Sequence, residues 1–315
     1  MGESDLLAHI YARSAALREK FPHVLAGPGH DCAVVDVGGR PVLLKVDQLV
    51  GGVHFRPFPE MPLDLIARKA MARPVSDIAA AGGTPTAALA AALLPAEFEG
   101  ADELFDAMAR WAVRWGCPLV GGDIAMGRDE GTEGRRDGGT LVLAVTVMGS
   151  PHPLRGAVLR AGARPGDAVY VTGSLGGSFD RATGLGKHLT FEPRLAEARW
   201  LCDTLGPALH AMMDISDGLG LDASRLAEAS GVRVRIEAAT IPCAAGAEWK
   251  AAASEGEDYE LLFAAPGTAA VSPICPGTGT PITRIGVVQE GGGCVIAEGG
   301  REIDARRMGF EHGSG

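Results

Sequence analysis

The chain has 315 residues, 46% of them apolar, which is enough to bury the cores of two domains, and its formal charge of −10 argues against a sequence-independent grip on nucleic acid, which needs clustered Lys and Arg. Glu3, Asp5, Arg13 and Arg18 interrupt the apolar N-terminal residues as in an amphipathic helix rather than a secretion signal, and the most apolar stretch, Ala87 to Leu94, is far shorter than the ~20 residues that cross a bilayer. A cytoplasmic protein without membrane contact is expected, its six cysteines reduced, since none has a Cys-x-x-Cys or zinc-like spacing.

Cys32 to Val37 and Pro41 to Val46, split by Gly38-Gly39-Arg40, predict a hairpin. Pro62 to Ala81 predicts a helix, Ala87 to Leu94 fits a buried strand or a short helix, Ala101 to Trp115 has helical periodicity, and Leu119-Val120 and Leu141 to Val147 predict strands. Gly127 to Gly139 is almost all Gly and charge and predicts a solvated loop. Ser150-Pro151-His152-Pro153 breaks the pattern and sets the expected boundary between an N-terminal unit, 1–150, and a C-terminal unit, 151–315. The second unit is expected to hold a strand at Ala168 to Val171, helices near Arg194 to Leu205 and Leu219 to Ala229, strands at Val232 to Ile236 and Leu261 to Ala264, and a loop over Pro266 to Pro281. Mixed strands and helices in both halves predict two α/β or α+β units.

Six aspartates, Asp31, Asp47, Asp77, Asp123, Asp214 and Asp217, stand beside glycines or at the ends of apolar runs. Each alone also fits a turn or a helix cap. As a set they fit one site for Mg²⁺ and nucleotide phosphates, because Mg²⁺ takes its octahedral oxygen ligands from a few carboxylates and the phosphates themselves. Phosphoryl transfer from ATP is the chemistry this predicts.

Asp214-Ile-Ser-Asp-Gly-Leu219 puts two acids and a hydroxyl ahead of a helix, where they serve a phosphate or metal, or cap the helix. Gly256-Glu-Asp-Tyr-Glu-Leu-Leu-Phe263 crowds three acids before a strand, which calls for a cationic partner or an exposed turn. The Thr172 to Ser178 glycine loop lacks the Gly-Lys-Ser/Thr ending of a phosphate loop and fits a plain turn better. His54 follows the Asp47 segment, and no Ser/His/Asp or Cys/His order points to covalent catalysis.

In order, Gly27-Pro-Gly-His-Asp31, Val46-Asp47 with Gly52-Val-His-Phe55, Ser76-Asp-Ile-Ala-Ala-Ala-Gly82, Gly121-Gly-Asp123, Arg160-Ala-Gly-Ala-Arg-Pro-Gly-Asp167, Asp214-Ile-Ser-Asp-Gly218 and Gly256-Glu-Asp-Tyr-Glu260 resemble the thiamine-monophosphate kinase family of the aminoimidazole ribonucleotide synthetase superfamily, over about residues 25–312. The resemblance implies a two-domain fold: an N-terminal mixed sheet with helices that pairs across a homodimer, and a C-terminal α/β sandwich. It also implies ATP and several Mg²⁺ ions in a cleft, and direct in-line transfer to thiamine monophosphate. By motif position Asp31, Asp47, Asp77, Asp123, Asp214 and Asp217 would hold metal. Gly122, Asp123, Arg160 and Ser216 would contact ATP, and His54, Glu257 and Phe310 would contact thiamine monophosphate. Asp47, Asp123 and Arg160 would carry catalysis.

The chain departs from that pattern at His30 (usually Asp), at Lys45-Val46 (hydroxyl residues), at Pro74 (Asn) and at Ile124-Ala-Met126 (Thr-Thr-Arg). Lys45 thereby brings a compact cation beside the expected metals. Two further readings stay open on these residues: a divergent paralogue that uses ATP to activate another small acceptor, and a nucleotide-binding protein without turnover.

Overall fold

The computed structural model describes residues 3–96, 98–127 and 140–310. The N-terminal half runs α1 (Glu3–Ser14), α2 (Leu17–Lys20), β1 (Val24–Ala26), β2 (Ala33–Asp36), β3 (Pro41–Val50), α3 (Leu63–Ala80), β4 (Gly83–Leu94), α4 (Ala101–Arg114), β5 (Leu119–Met126) and β6 (Val142–Pro151). Its strands form one sheet in the order β1-β2-β3-β6-β4-β5, antiparallel except for the β4–β5 pair that α4 connects. The expected hairpin is β2–β3, with Val34 opposite Leu43. The segment 87–94 is part of the strand β4, held on both sides by β6 and β5. β5 continues past Val120 because pairing with β4 carries Gly121, Gly122 and Asp123, which are poor strand formers on their own.

Burial alternates along β3: Leu43 and Leu49 lie in the core with α3, while Leu44, Val46 and Gln48 are exposed on the other face. Helix α3 has 14 of its 18 residues buried, Pro74 included. A helix so enclosed tolerates an internal proline because burial on all sides, not local propensity, holds it. It ends at Gly82, whose φ of 67° lies in the left-handed region and where a Cβ would come within 2.8 Å of Cys202 Sγ.

The C-terminal half runs β7 (Asp167–Thr172), α5 (Lys187–Thr190), α6 (Leu195–Leu205), β8 (Ala211–Asp214), α7 (Leu219–Ser230), β9 (Arg233–Glu237), α8 (Trp249–Ser254), β10 (Leu261–Pro266), β11 (Ile282–Gln289), β12 (Gly293–Glu298) and β13 (Arg301–Asp304). These strands form a second sheet, β13-β12-β9-β11-β7-β10-β8, in which only β9 and β12 are parallel. Val169, Val171, Leu262 and Ala264 pack on one face with α7 and α8. Ala168, Tyr170, Leu261 and Phe263 pack on the other with α6 and with Ala79 and Ala80 of α3. This half is therefore an α/β sandwich, and the end of α3 is built into its core.

Strands β8, β11, β12 and β13 are additional to those the sequence predicts. β11 carries Arg284 and a bulge at Gly286, and β12 and β13 are short and flanked by glycines and charge. The described loop between β10 and β11 holds only an isolated bridge, Ile274 to Pro281, as expected. Of the loop expected over Gly127 to Gly139, residues 128–139 lie outside the described residues. Five cysteines are buried and Cys243 is half-buried, all as free thiols. No helix of the described residues is long and apolar enough to cross a membrane.

Candidate active site

Docking α3 against the second sheet brings together three acids that are far apart in sequence. Asp31 comes from the β1–β2 loop, Asp77 from the last turn of α3 and Asp214 from the end of β8, and each offers a carboxylate oxygen within 4.8 Å of the others. Ser76 Oγ donates to Asp214 Oδ2 at 2.6 Å. Arg160 donates from Nε and Nη2 to the same oxygen, Asp31 Oδ1, at 3.0 and 2.8 Å, which leaves Asp31 Oδ2 buried without a partner among the described residues. Lys45, on β3, reaches Asp77 Oδ1 at 2.7 Å and Asp47 Oδ1 at 3.4 Å.

The electrostatics follow from this crowding. Burial, reinforced by Asp31, pushes the Asp214 carboxyl up to about 7. Burial and the charges of Asp214 and Asp47 outweigh Lys45 at Asp77, whose carboxyl lies well above its ordinary value. Desolvation also works to raise the half-buried Asp47, yet Lys45 and Arg73 together hold it below the usual range.

The loop after β8 is held by a residue the sequence did not single out. Ser216 and Asp217 donate their backbone N–H groups to Asp222 Oδ2 at 3.0 and 2.9 Å. Asp222 sits fully buried in the first turn of α7, and its carboxyl is raised to about 6 by burial and by Asp217. Arg225, one turn further on, bridges Asp222 at 2.8 Å and Asp217. Neither Ser216 nor Asp217 makes a side-chain cap on α7, so the simple capping alternative does not describe them. The same loop ties in two other candidates, since Glu257 donates its N–H to Ser216 O at 2.7 Å and Phe310 donates its N–H to Asp217 O at 2.8 Å.

Each acid of the Glu257 to Glu260 segment has found a donor. Glu257 pairs with Lys69 at 2.6 Å and His188 at 3.1 Å. Asp258 accepts from Ser178 Oγ and Gly176 N, so the glycine loop after β7 is a turn clasped by a buried acid. Glu260 is gripped by Arg194, Lys187 and Thr172. Glu257 and Tyr259 adopt φ of 65° and 52°, a left-handed backbone that non-glycine residues hold only when their surroundings dictate it. Lys69, fully buried on α3, also donates to His54 O at 2.8 Å and thereby joins His54 to Glu257. Burial lowers Lys69 to about 8 while its own hydrogen-bonding donors hold Glu257 at about 2, against the effect of burial, so both are ionised at neutral pH.

Gly122 and Asp123 stand apart. Register runs Asp47 to Val145, Val145 to Ala90 and Ala90 to Gly122, so the edge strand β5 lies three strand spacings from Asp47, roughly 14 Å. Both residues are exposed, and a Cβ at Gly122 would come within 1.9 Å of Ala90 O, so this position accepts only glycine. Ser76, Lys69, His188 and Asp222 join this network without having been singled out in the sequence. The available signal was a polar side chain on an otherwise buried helix face.

Family models match both halves: AIR synthase related protein, N-terminal domain, over residues 29–150, and AIR synthase related protein, C-terminal domain, over residues 164–297. With the acid cluster in the seam between them, these define the chain as an AIR synthase-related two-domain protein. It is 37% identical to a thiamine-monophosphate kinase of Rhodopirellula baltica, over 91% of this chain and 89% of that protein, and 31% identical to one of Escherichia coli, over 99% and 98%. A solved structure of AaThiL complexed with AMPPCP and TMP superposes with a TM-score of 0.77 at 27% identity, covering 99% of this chain and 97% of that one. The chain belongs to the thiamine-monophosphate kinase family.

Proposed function

We propose that the protein transfers the terminal phosphoryl group of ATP to thiamine monophosphate, giving thiamine diphosphate and ADP. The observation that carries this reading is the buried cluster of Asp31, Asp77 and Asp214 beside Arg160, in a chain whose full-length relatives are named for that reaction.

The residues fit Mg²⁺. All the donors are carboxylate oxygens, the choice of a hard cation, and Asp31 Oδ2, buried without a hydrogen-bond partner among the described residues, is free to ligate one. Asp31, Asp77 and Asp214 would hold metal at the centre, with Asp47, Asp123 and Asp217 serving ions carried in with the nucleotide. Bound Mg²⁺ supplies neutralisation of phosphate charge and a template for in-line geometry.

The acceptor phosphate, with a second pKa of about 6, is a dianion at neutral pH and is nucleophilic without a strong base. Its oxygen forms the new bond to the γ-phosphorus as the bond to the bridging oxygen breaks, and ADP leaves with that electron pair. The chain's work is to align two polyanions. Arg160, anchored on Asp31, places a guanidinium beside the phosphates, and Ser216 and Gly122 offer further contacts. His54, Glu257 and Phe310 receive the thiamine end, Glu257 as a carboxylate ionised at any working pH.

The proposal includes a cytoplasmic homodimer, with residues 1–150 carrying the dimer face and most of the metal ligands and 151–315 closing the cleft and adding Asp214 and Asp217. The sheet face away from α3 exposes Leu44, Val46, Leu89, Leu93 and Met148, a row of apolar side chains suited to pairing with a second copy. The test is incubation with ATP, Mg²⁺ and thiamine monophosphate, with mass spectrometry for thiamine diphosphate. Acceptor-dependent product is expected, reduced at least 100-fold by Asp47→Asn or Asp123→Asn, on the order of one lost electrostatic contact at the reacting phosphate. Nucleotide binding without product rejects the reading.

A further inference from the structure

Cations are unevenly distributed around the acid cluster. On the Asp31–Asp214 side, Asp31 Oδ2 is buried and unpartnered among the described residues and Asp214 receives a hydroxyl from Ser76. On the Asp47–Asp77 side, an ammonium is already in place, 2.7 Å from Asp77 and 3.4 Å from Asp47. Lys45 and Asp47 are two residues apart on one strand, so both project to the face that meets α3. The lysine side chain is 22% exposed and Asp77's is 8%, so the ammonium is part of the cluster rather than a solvated surface charge.

We propose that Lys45 is a resident cation of this site, bridging Asp47 and Asp77 in place of one divalent ion and confining free-standing metal to the Asp31–Asp214 side. The inference rests on reading the cluster as a Mg²⁺ site. A Mg²⁺ held by both Asp47 and Asp77 needs oxygens at about 2.0–2.1 Å, and an ammonium already hydrogen-bonded at that spot competes for the same oxygens and repels a second cation. The lysine carries half the charge of the ion it replaces. It is always present, cannot be chelated, and leaves Asp47 with a second oxygen for ions that arrive on the nucleotide.

The test counts bound Mn²⁺ on the nucleotide-free full chain by electron paramagnetic resonance, beside melting curves in EDTA. Lys45→Thr is expected to bind one more Mn²⁺ per chain than the wild type. It should also melt lower in EDTA and recover on adding Mn²⁺, because Asp47 and Asp77 then repel until an ion arrives. Lys45→Arg, which keeps the charge, should match the wild-type count. Asp47→Asn, which removes a like charge and should fold, is expected to leave the nucleotide-free count unchanged. Equal counts for wild type and Lys45→Thr, or a Mn²⁺ lost in Asp47→Asn, overturn the proposal. The readout needs no turnover: the expected counts without thiamine diphosphate formation would reject the acceptor assignment and leave Lys45 standing, whereas no Mn²⁺ on any form removes both.

Discussion

Asp214 couples the site to pH in a direction that can be worked out. Its carboxyl is raised from 3.8 to about 7 by burial and Asp31. Between those values the folded, metal-free protein keeps a proton that the unfolded chain has released, so this group's contribution to stability falls as pH rises through the window. Metal binding needs the carboxylate, so Mg²⁺ affinity runs the other way and should fall about tenfold between pH 8 and pH 6. Calorimetric Mg²⁺ titrations at the two pH values read this directly, and an affinity flat across them contradicts it. Lys69 is the second residue whose loss is informative. Lys69→Met leaves Glu257 with His188 alone, and a cost of about 2–3 kcal/mol is expected, below that of a fully buried broken pair because the Glu257 side chain is 26% exposed. The double variant Lys69→Met/Glu257→Gln should recover most of that loss in urea unfolding, which a mere packing defect at residue 69 would not permit.

Helix α7 is set by a close approach at Gly220, where a Cβ would lie 2.7 Å from Met308 O and 2.8 Å from Ala305 O. Gly220→Ala must push the 3₁₀ turn at Ala305–Arg307 away from the helix, and Phe310 with it, since Phe310 is tied to Asp217 O. A loss of about 1–3 kcal/mol is expected, and under the proposed role a raised KM for thiamine monophosphate with a smaller change in kcat. The contrast with other elements shows what sequence pattern can carry. Helix α4 and strands β3, β7 and β10 are legible because their periodicity or unbroken apolar runs match their burial. Strands β11 and β12 are not, because they are held by long-range pairing with β9 and carry Gly and charge that local propensity reads as loop, and β13, the hairpin partner of β12, is charged at three of its four positions. The six aspartates could be read as one set from their glycine neighbours, but not which of them touch: Asp31, Asp77 and Asp214 meet because Ala79 and Ala80 of α3 enter the core of the second sheet. Lys69 and Asp222 escaped notice because a buried charge on a helix looks, in sequence, like an ordinary surface charge.

At the scale of the whole molecule, the two sheets have unlike surroundings. The second is covered on both faces, while the first is covered by α3 on one and leaves an apolar face open. That open face also bears on Asp123. Register sets Asp123 opposite Ala91, roughly three strand spacings from the Asp47 position, too far for both to serve one ion within a chain. If both are required, as proposed, the partner's β5 must deliver Asp123 to the site that holds this chain's Asp47. Two inactive proteins should then complement each other. Asp47→Asn and Asp123→Asn, unfolded together and refolded at equal concentration, form half mixed dimers, and each mixed dimer assembles one site with both aspartates intact. Thiamine diphosphate formation should return to about a quarter of the wild-type rate, the share set by random pairing of two chains. Leu89→Glu, on the open face of β4, should abolish the recovery and shift the chain to monomer in sedimentation. A mixture as inactive as its two components, with mixed dimers demonstrably present, places both aspartates on one chain and requires β5 to move within it.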